Sequence, residues 1–176
     1  PIALSLINEF KKLGGKGIAA PSANRFGKVS PTTTEAVAEE LLPYLDHFLD
    51  RILDGGPSHI GIESTIINCT DASPEILRLG FVTKEMIEES TSKKVIVSAS
   101  DIRVSGSLES HYAPNAKVLI NQIPEPGDGF IALSTIPTPD GCVRLTSPNS
   151  VEEYARYLYS ALRLGDLKGT KKIIAI

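Results

Sequence analysis

Between Ala20 and Pro31 the chain reads Ala-Pro-Ser-Ala-Asn-Arg-Phe-Gly-Lys-Val-Ser-Pro, which sets two hydroxyls (Ser22, Ser30), an amide (Asn24) and two cations (Arg25, Lys28) on one loop. Ahead of a helix such a loop can hold an anion, since free N–H groups and the helix dipole favour negative charge and Arg25 or Lys28 could meet phosphate oxygens. The same residue types also make Asx and Ser turns and helix caps, and by composition alone that plainer reading is favoured. Gly61-Ile62-Glu63-Ser64-Thr65 is a second such stretch. As a half-buried strand it would face Glu63 and Thr65 one way and Ser64 the other, toward a ligand, or it is merely small residues beside a surface carboxylate. Arg78, flanked by Leu77 and Leu79, needs a partner in its apolar strand, and a ligand phosphate and a structural ion pair serve equally. His111-Tyr112-Ala113-Pro114 adds an imidazole and a ring that could lie over a nucleotide or simply pack. No Ser/His/Asp order, zinc spacing, P-loop or dinucleotide glycine fingerprint occurs, so hydrolase and kinase readings lack support.

The elements that must position these residues follow from periodicity. Ile2, Leu4, Leu6, Ile7 and Phe10 form a helical stripe that ends at Lys11-Lys12 before Gly14-Gly15. Gly17 to Ala20 reads as a short buried strand stopped by Pro21. Thr32-Thr33-Thr34-Glu35 predicts a capping box and a helix to about Leu42. Strands are expected at Phe48 to Leu53, Ile62 to Ile67 and Ile76 to Leu79, followed by a small helix capped by Thr83. The stretch from about Ser98 to Asn115 has little periodicity and reads as a linker between two domains, 1–97 and 116–176. Beyond it, strands at Ala116 to Ile120, Phe130 to Ser134, Val143 to Leu145 and Lys171 to Ile176 surround a helix opened by a Ser150/Glu153 box, with Tyr154, Tyr157, Leu158, Ala161 and Leu162 on one face. That order predicts a largely parallel α/β sheet. The chain stops inside an apparent core strand, so truncation there is expected.

Composition sets bounds on function. The 176 residues suit one large or two compact units, and 41% apolar with 22% charged residues is ordinary for a globular chain. A net charge of −3 argues against a surface devoted to nucleic-acid phosphates. Cys69 and Cys142 lie far apart with no metal-ligand companions, which suits reduced thiols in a cytoplasmic protein. Nothing in Pro1 to Phe10 resembles a signal peptide, and no apolar run is long enough to span a bilayer.

Taken in order, Ile18 to Asn24 with Gly27 and Ser30-Pro31-Thr32, Leu53 to Pro57, Gly61 to Thr65, Ile76-Leu77-Arg78, and Ser105-Gly106 with His111 to Pro114 resemble the Sua5/YrdC/YciO family. His-Tyr-Ala-Pro after the linker resembles the long, two-domain Sua5 form. The resemblance implies an α/β fold: the C-terminal half of a twisted YrdC-like domain, a linker, and a smaller Rossmann-like parallel Sua5 domain. It also implies synthesis of threonylcarbamoyl-AMP and pyrophosphate from L-threonine, bicarbonate and ATP with Mg2+, for a tRNA adenosine modification completed by a tRNA threonylcarbamoyl transferase complex.

Carried over by position, Ser22, Asn24 and Arg78 would be catalytic; Ser22, Asn24, Ser30, Arg78, His111 and Tyr112 would meet the nucleotide; and the Ala20 backbone with Ser64 would hold threonine. Phe26, Leu79 and the absence of Pro between Ser105 and Gly106 depart from the common pattern. The family's Lys-x-Arg half would precede Pro1, so a fragment inactive alone is expected. The rival expectation is a YrdC-like module that binds double-stranded RNA or tRNA without catalysis, using Arg25, Lys28 and Arg78.

Overall fold

The computed structural model describes residues 2–97, 104 and 112–176. The expected linker lies mostly outside them, and with it His111 and Ser105-Gly106. Two compact units form, Pro1–Phe26 with Ser30–Ser58, and Gly27–Val29 with His59–Ile176.

The first unit is helix and coil. Helix α1 (Ile2–Lys12) ends in Lys11 and Lys12, cations that suit its negative dipole end, and Gly14 follows at φ 87°, in the left-handed region open to glycine. All of α1 is exposed, its apolar stripe included. Helix α2 (Thr34–Leu41) is capped one residue later than the sequence suggests: Thr33, not Thr32, accepts the N–H of Ala36. A 3-10 turn, Leu42–Tyr44, continues it.

Two expected strands do not form. Gly17 to Ala20 are exposed coil, since short β-propensity needs a ladder partner and no described segment supplies one. Around Phe48 to Leu53, local side-chain bonds win over extension. The Asp46 carboxylate accepts from the N–H groups of Phe48 and Leu49, and Arg51 donates to the carbonyls of His47, Phe48 and Asp50.

The second unit is mixed α/β. Strands β1 (Ile66–Asn68) and β2 (Glu75–Arg78) pair antiparallel, and helix α3 (Lys84–Thr91), capped by Thr83 as expected, carries the chain over to β3 (Ile96–Val97), parallel to β2. Ile76, Ile87 and Val95 form the core beneath α3, joined by Ile67. Residues 62–65, expected in a strand, are irregular and lead into β1.

The larger sheet is parallel throughout, in the order β4 (Lys117–Ile120), β7 (Lys172–Ala175), β5 (Gly129–Ile131), β6 (Val143–Thr146). The last strand therefore lies centrally, with Ile173 and Ile174 fully buried. Helix α4 (Val151–Leu167) packs Ala161 and Leu162 on Ile131, Leu145 and Ile173, and Gly165 allows the approach, since a Cβ there would meet Ile173 at 2.5 Å. Ser150 caps α4 as expected, accepting from the Glu153 N–H, but the Glu153 carboxylate accepts from Asn149 rather than Ser150. The parallel step from β5 to β6 lacks a helix, and Arg144 ties its loop by donating to the carbonyls of Ala132, Leu133, Ile136 and Thr146.

Candidate active site

Arg78 ends β2, and its guanidinium turns back over the irregular segment that enters β1. Its Nε donates to the Ser64 carbonyl at 3.1 Å, while Nη2 donates to that carbonyl at 2.8 Å and to the Ser64 hydroxyl at 3.1 Å. Nη1 donates to the Tyr112 hydroxyl at 3.4 Å, and a Glu63 carboxylate oxygen lies 3.6 Å from Nη2. The Arg78 and Glu63 side chains are 13% and 21% accessible, so this long ion pair sits where desolvation offsets much of its attraction. Glu63 and Ser64 both face Arg78, against the alternation expected of a strand, because the backbone there is not extended in a ladder. Of the partners foreseen for Arg78, the structural ion pair is present at Glu63, and the backbone and hydroxyl oxygens of Ser64 with the Tyr112 hydroxyl add to it.

The segment is clamped by backbone contact. A Cβ on Gly80 would lie 2.3 Å from the Ser64 carbonyl carbon, and one on Gly61 would lie 1.9 Å from the Arg156 carbonyl oxygen of α4. Phe81 donates its N–H to Glu63 at 3.0 Å, and the Thr65 hydroxyl donates to the Val82 carbonyl at 2.5 Å.

Tyr112 holds φ at 56°, uncommon for a side-chain-bearing residue, and its ring stacks on Tyr159 of α4 with centroids 6.4 Å apart and planes 26° apart. Burial, reinforced by Glu63 and Tyr112, pushes the Tyr159 hydroxyl up to about 12, against the pull of Arg78 and a backbone hydrogen bond at Glu63. Tyr159 is therefore a neutral phenol at ordinary pH. Sequence reading missed it, since it lies beside the predicted apolar face of α4; a large aromatic off that face was the available signal.

Around the same unit, Ala113 donates its N–H to the Gly27 carbonyl, the Lys28 ammonium donates to the Asn115 side chain at 2.6 Å, and Arg163 donates to the Val29 carbonyl. Val29 is buried in the core under α4.

In the first unit, Ala20 and Ser22 are exposed and Ser30 is half-buried. Asn24 is half-buried, and its amide donates to the Arg25 carbonyl at 3.0 Å, a local contact that differs from the Asx turn foreseen, in which the side-chain oxygen would accept. Arg25 is committed to Glu40 at 3.0 Å and Tyr44 at 3.4 Å, and these two hold its guanidinium above its usual range. Thr33, not Ser30, caps the helix that follows. The structure thus brings Ser64, Arg78 and Tyr112 together, while Ala20, Ser22, Asn24 and Ser30 belong to the other unit. Among the described residues no cluster of three or more His, Cys, Asp or Glu could hold a metal ion, and no helix is long and apolar enough to cross a membrane.

Comparison with known proteins ties this chain to a family. A family model named Sua5_yciO_yrdC and described as "Telomere recombination" matches residues 1–80, and one described as "Threonylcarbamoyl-AMP synthase, C-terminal domain" matches 82–176. The chain belongs to the Sua5/YrdC/YciO family. Threonylcarbamoyl-AMP synthase of Pyrococcus abyssi is 34% identical over 99% of this chain and 55% of its own length, and that of Bacillus subtilis is 42% identical over 68% of this chain and 34% of its own length. The chain therefore spans about a third to a half of these Sua5-family relatives. The crystal structure of P. abyssi Sua5 complexed with L-threonine superposes with a TM-score of 0.71 at 32% identity, covering 89% of this chain and 51% of that one. A variant of that protein, with an adjacent His and Tyr both replaced by Ala, gives 0.69 at 31% identity, covering 89% of this chain and 50% of its own.

Proposed function

We propose that this chain carries part of the site of a threonylcarbamoyl-AMP synthase. The observation that carries the reading is the convergence of Ser64, Arg78 and Tyr112, drawn from three motifs of the family, on one guanidinium. The solved Sua5 with bound L-threonine supports the amino acid as a substrate, and the His/Tyr variant of that protein directs attention to the adjacent His111-Tyr112 here.

In the reaction, the threonine amine and bicarbonate condense to a carbamate with loss of water. A carbamate oxygen then attacks the α-phosphorus of ATP, forming the mixed anhydride and releasing pyrophosphate. Both reactants are anions, so positioning and charge neutralisation dominate. Ser64 and the Ala20 backbone hold threonine; Arg78, Ser22, Asn24 and Ser30 meet ATP, with Ser22, Asn24 and Arg78 nearest the chemistry; His111 and Tyr112 cover the nucleotide. Arg78 suits its part because Ser64 and Tyr112 already fix its plane, leaving little reorganisation for the transition state. Mg2+ would come with the ATP phosphates and neutralise part of their charge beside Arg78.

On this reading residues 1–97 belong to the catalytic domain, 98–115 to the linker and 116–176 to the Sua5 domain, in a cytoplasmic enzyme that feeds a tRNA threonylcarbamoyl transferase complex. The RNA-binding alternative loses ground, since Arg25 is spent on Glu40 and Tyr44 and Lys28 on Asn115.

The test is pyrophosphate release and adenylate formation by the complete protein with threonine, bicarbonate and ATP. Arg78→Ala should cost about 2–4 kcal/mol of transition-state stabilisation, some 30- to 1000-fold in kcat/KM. Ser22→Ala and Asn24→Ala should lower turnover far more than stability. Wild-type turnover in all three, or salt-dependent RNA affinity without turnover, would defeat the proposal.

A further inference from the structure

We propose that Tyr159 of α4 is a positioning residue for the substrate pocket, holding Glu63-Ser64 through its hydroxyl and Tyr112 through its ring. The inference rests on the functional reading above and extends it to the C-terminal sheet layer, whose helix carries no residue of the family motifs.

One side chain makes both contacts. The Tyr159 hydroxyl lies beside the Glu63 backbone, one residue before Ser64, and its ring faces that of Tyr112 with centroids 6.4 Å apart. Tyr112 and Ser64 are in turn joined by Arg78. The side chains of Tyr159, Tyr112, Arg78 and Ser64 therefore form a chain of contacts that returns, through the backbone of Glu63, to the Tyr159 hydroxyl. Two further features bring Tyr159 within reach. Gly61 sits directly against the α4 backbone at Arg156, three residues before Tyr159, and Tyr159 packs against the core cluster under α4. A half-buried phenol whose tip meets backbone is rigid, with few torsions left to order on ligand binding.

If Tyr159 only filled core volume, its replacement would lower stability and leave the pocket unchanged. If it positions the pocket, the hydroxyl and the ring should have separable effects. Losing the hydroxyl beside Glu63 in Tyr159→Phe should raise the KM for threonine about 2- to 12-fold, the range of one neutral hydrogen bond, while kcat and the melting temperature stay near wild type. Losing the ring in Tyr159→Leu should raise the KM for ATP as well. Combined with Tyr112→Ala in a double-mutant cycle, it should show a coupling of about 2- to 12-fold, the range of an aromatic pair.

The experiment uses the complete protein and reads steady-state kinetics, thermal melting, and amide hydrogen exchange at 63–65. Faster exchange there in Tyr159→Phe, together with the KM pattern, supports the proposal. Unchanged exchange, an unchanged threonine KM, or strictly additive effects of Tyr159→Leu and Tyr112→Ala would overturn it. Should the wild-type protein make no adenylate at all, the functional reading fails by itself, and the exchange result still decides whether Tyr159 holds Glu63 and Ser64.

Discussion

Replacing Gly61 by Ala tests the clamp with a single methyl group. The new Cβ would sit 1.9 Å from the Arg156 carbonyl oxygen and 2.7 Å from its carbon, both rigid backbone atoms of α4, so the segment or the helix must move by more than an ångström. Overpacking of this kind costs about 1–3 kcal/mol. Against it stands the reduced entropy of the unfolded chain, worth about 0.4–1 kcal/mol for Gly→Ala where the backbone conformation is acceptable. A net loss of roughly 1–2 kcal/mol corresponds to a melting temperature lower by about 2–8 °C in a chain of this size. The assay is thermal unfolding of the complete protein, with Gly17→Ala as the control, because nothing lies within 4 Å of a Cβ there. Since the shift would lift Glu63 away from Tyr159, the threonine KM of Gly61→Ala should rise too. A melting temperature equal to that of Gly17→Ala would refute the close approach and the clamp built on it.

Other outcomes follow from single interactions. Arg144→Lys should destabilise the protein by about 1–3 kcal/mol, because a point donor cannot serve the carbonyls of Ala132, Leu133, Ile136 and Thr146 together; a melting temperature unchanged from wild type would show that the loop before β6 holds without that fork. Asp54 is held below the usual carboxylate range by the Gly56 N–H and then the Thr34 hydroxyl, so its contribution is present above its unfolded value near 3.9 and is lost as pH falls through the lower folded value. The difference in melting temperature between wild type and Asp54→Ala should therefore be full at pH 6–7 and shrink below about pH 4; a gap that stays constant would remove the charge from the explanation.

How much of this was legible in the sequence depends on how local each cause is. Helix α4 and its Ser150 cap were readable because a 3.6-residue apolar period and an N-cap hydroxyl act within a few residues. The parallel sheet was readable because its strands are apolar, short and separated by turn residues. The strands expected at Gly17 to Ala20 and Phe48 to Leu53 failed because a strand is completed by its neighbour, and no propensity reports whether one is present. The one-residue error at Thr33 came from three adjacent threonines of equal capping ability. Arg25 looked free for phosphate because nothing local in the loop announces Glu40, fifteen residues on, as its partner.

The clamp itself shows why motifs could be recognised while their geometry could not. Residues 61–65, 78–82, 112 and 159 are far apart in the chain, and each stretch alone reads as an ordinary loop, strand end or helix face. What joins them is close backbone approach at Gly61 and Gly80, where any side chain would press on Arg156 or on Ser64. The glycines beside the chemical residues are thus the physical part of the pattern: Gly61 stands two residues before Glu63, and Gly80 two residues after Arg78, so that the carboxylate, the hydroxyl and the guanidinium can share one small space. A glycine in sequence reveals that something approaches, but not what. That the approaching element at Gly61 is α4, and that α4 brings Tyr159 with it, is information carried only by the fold.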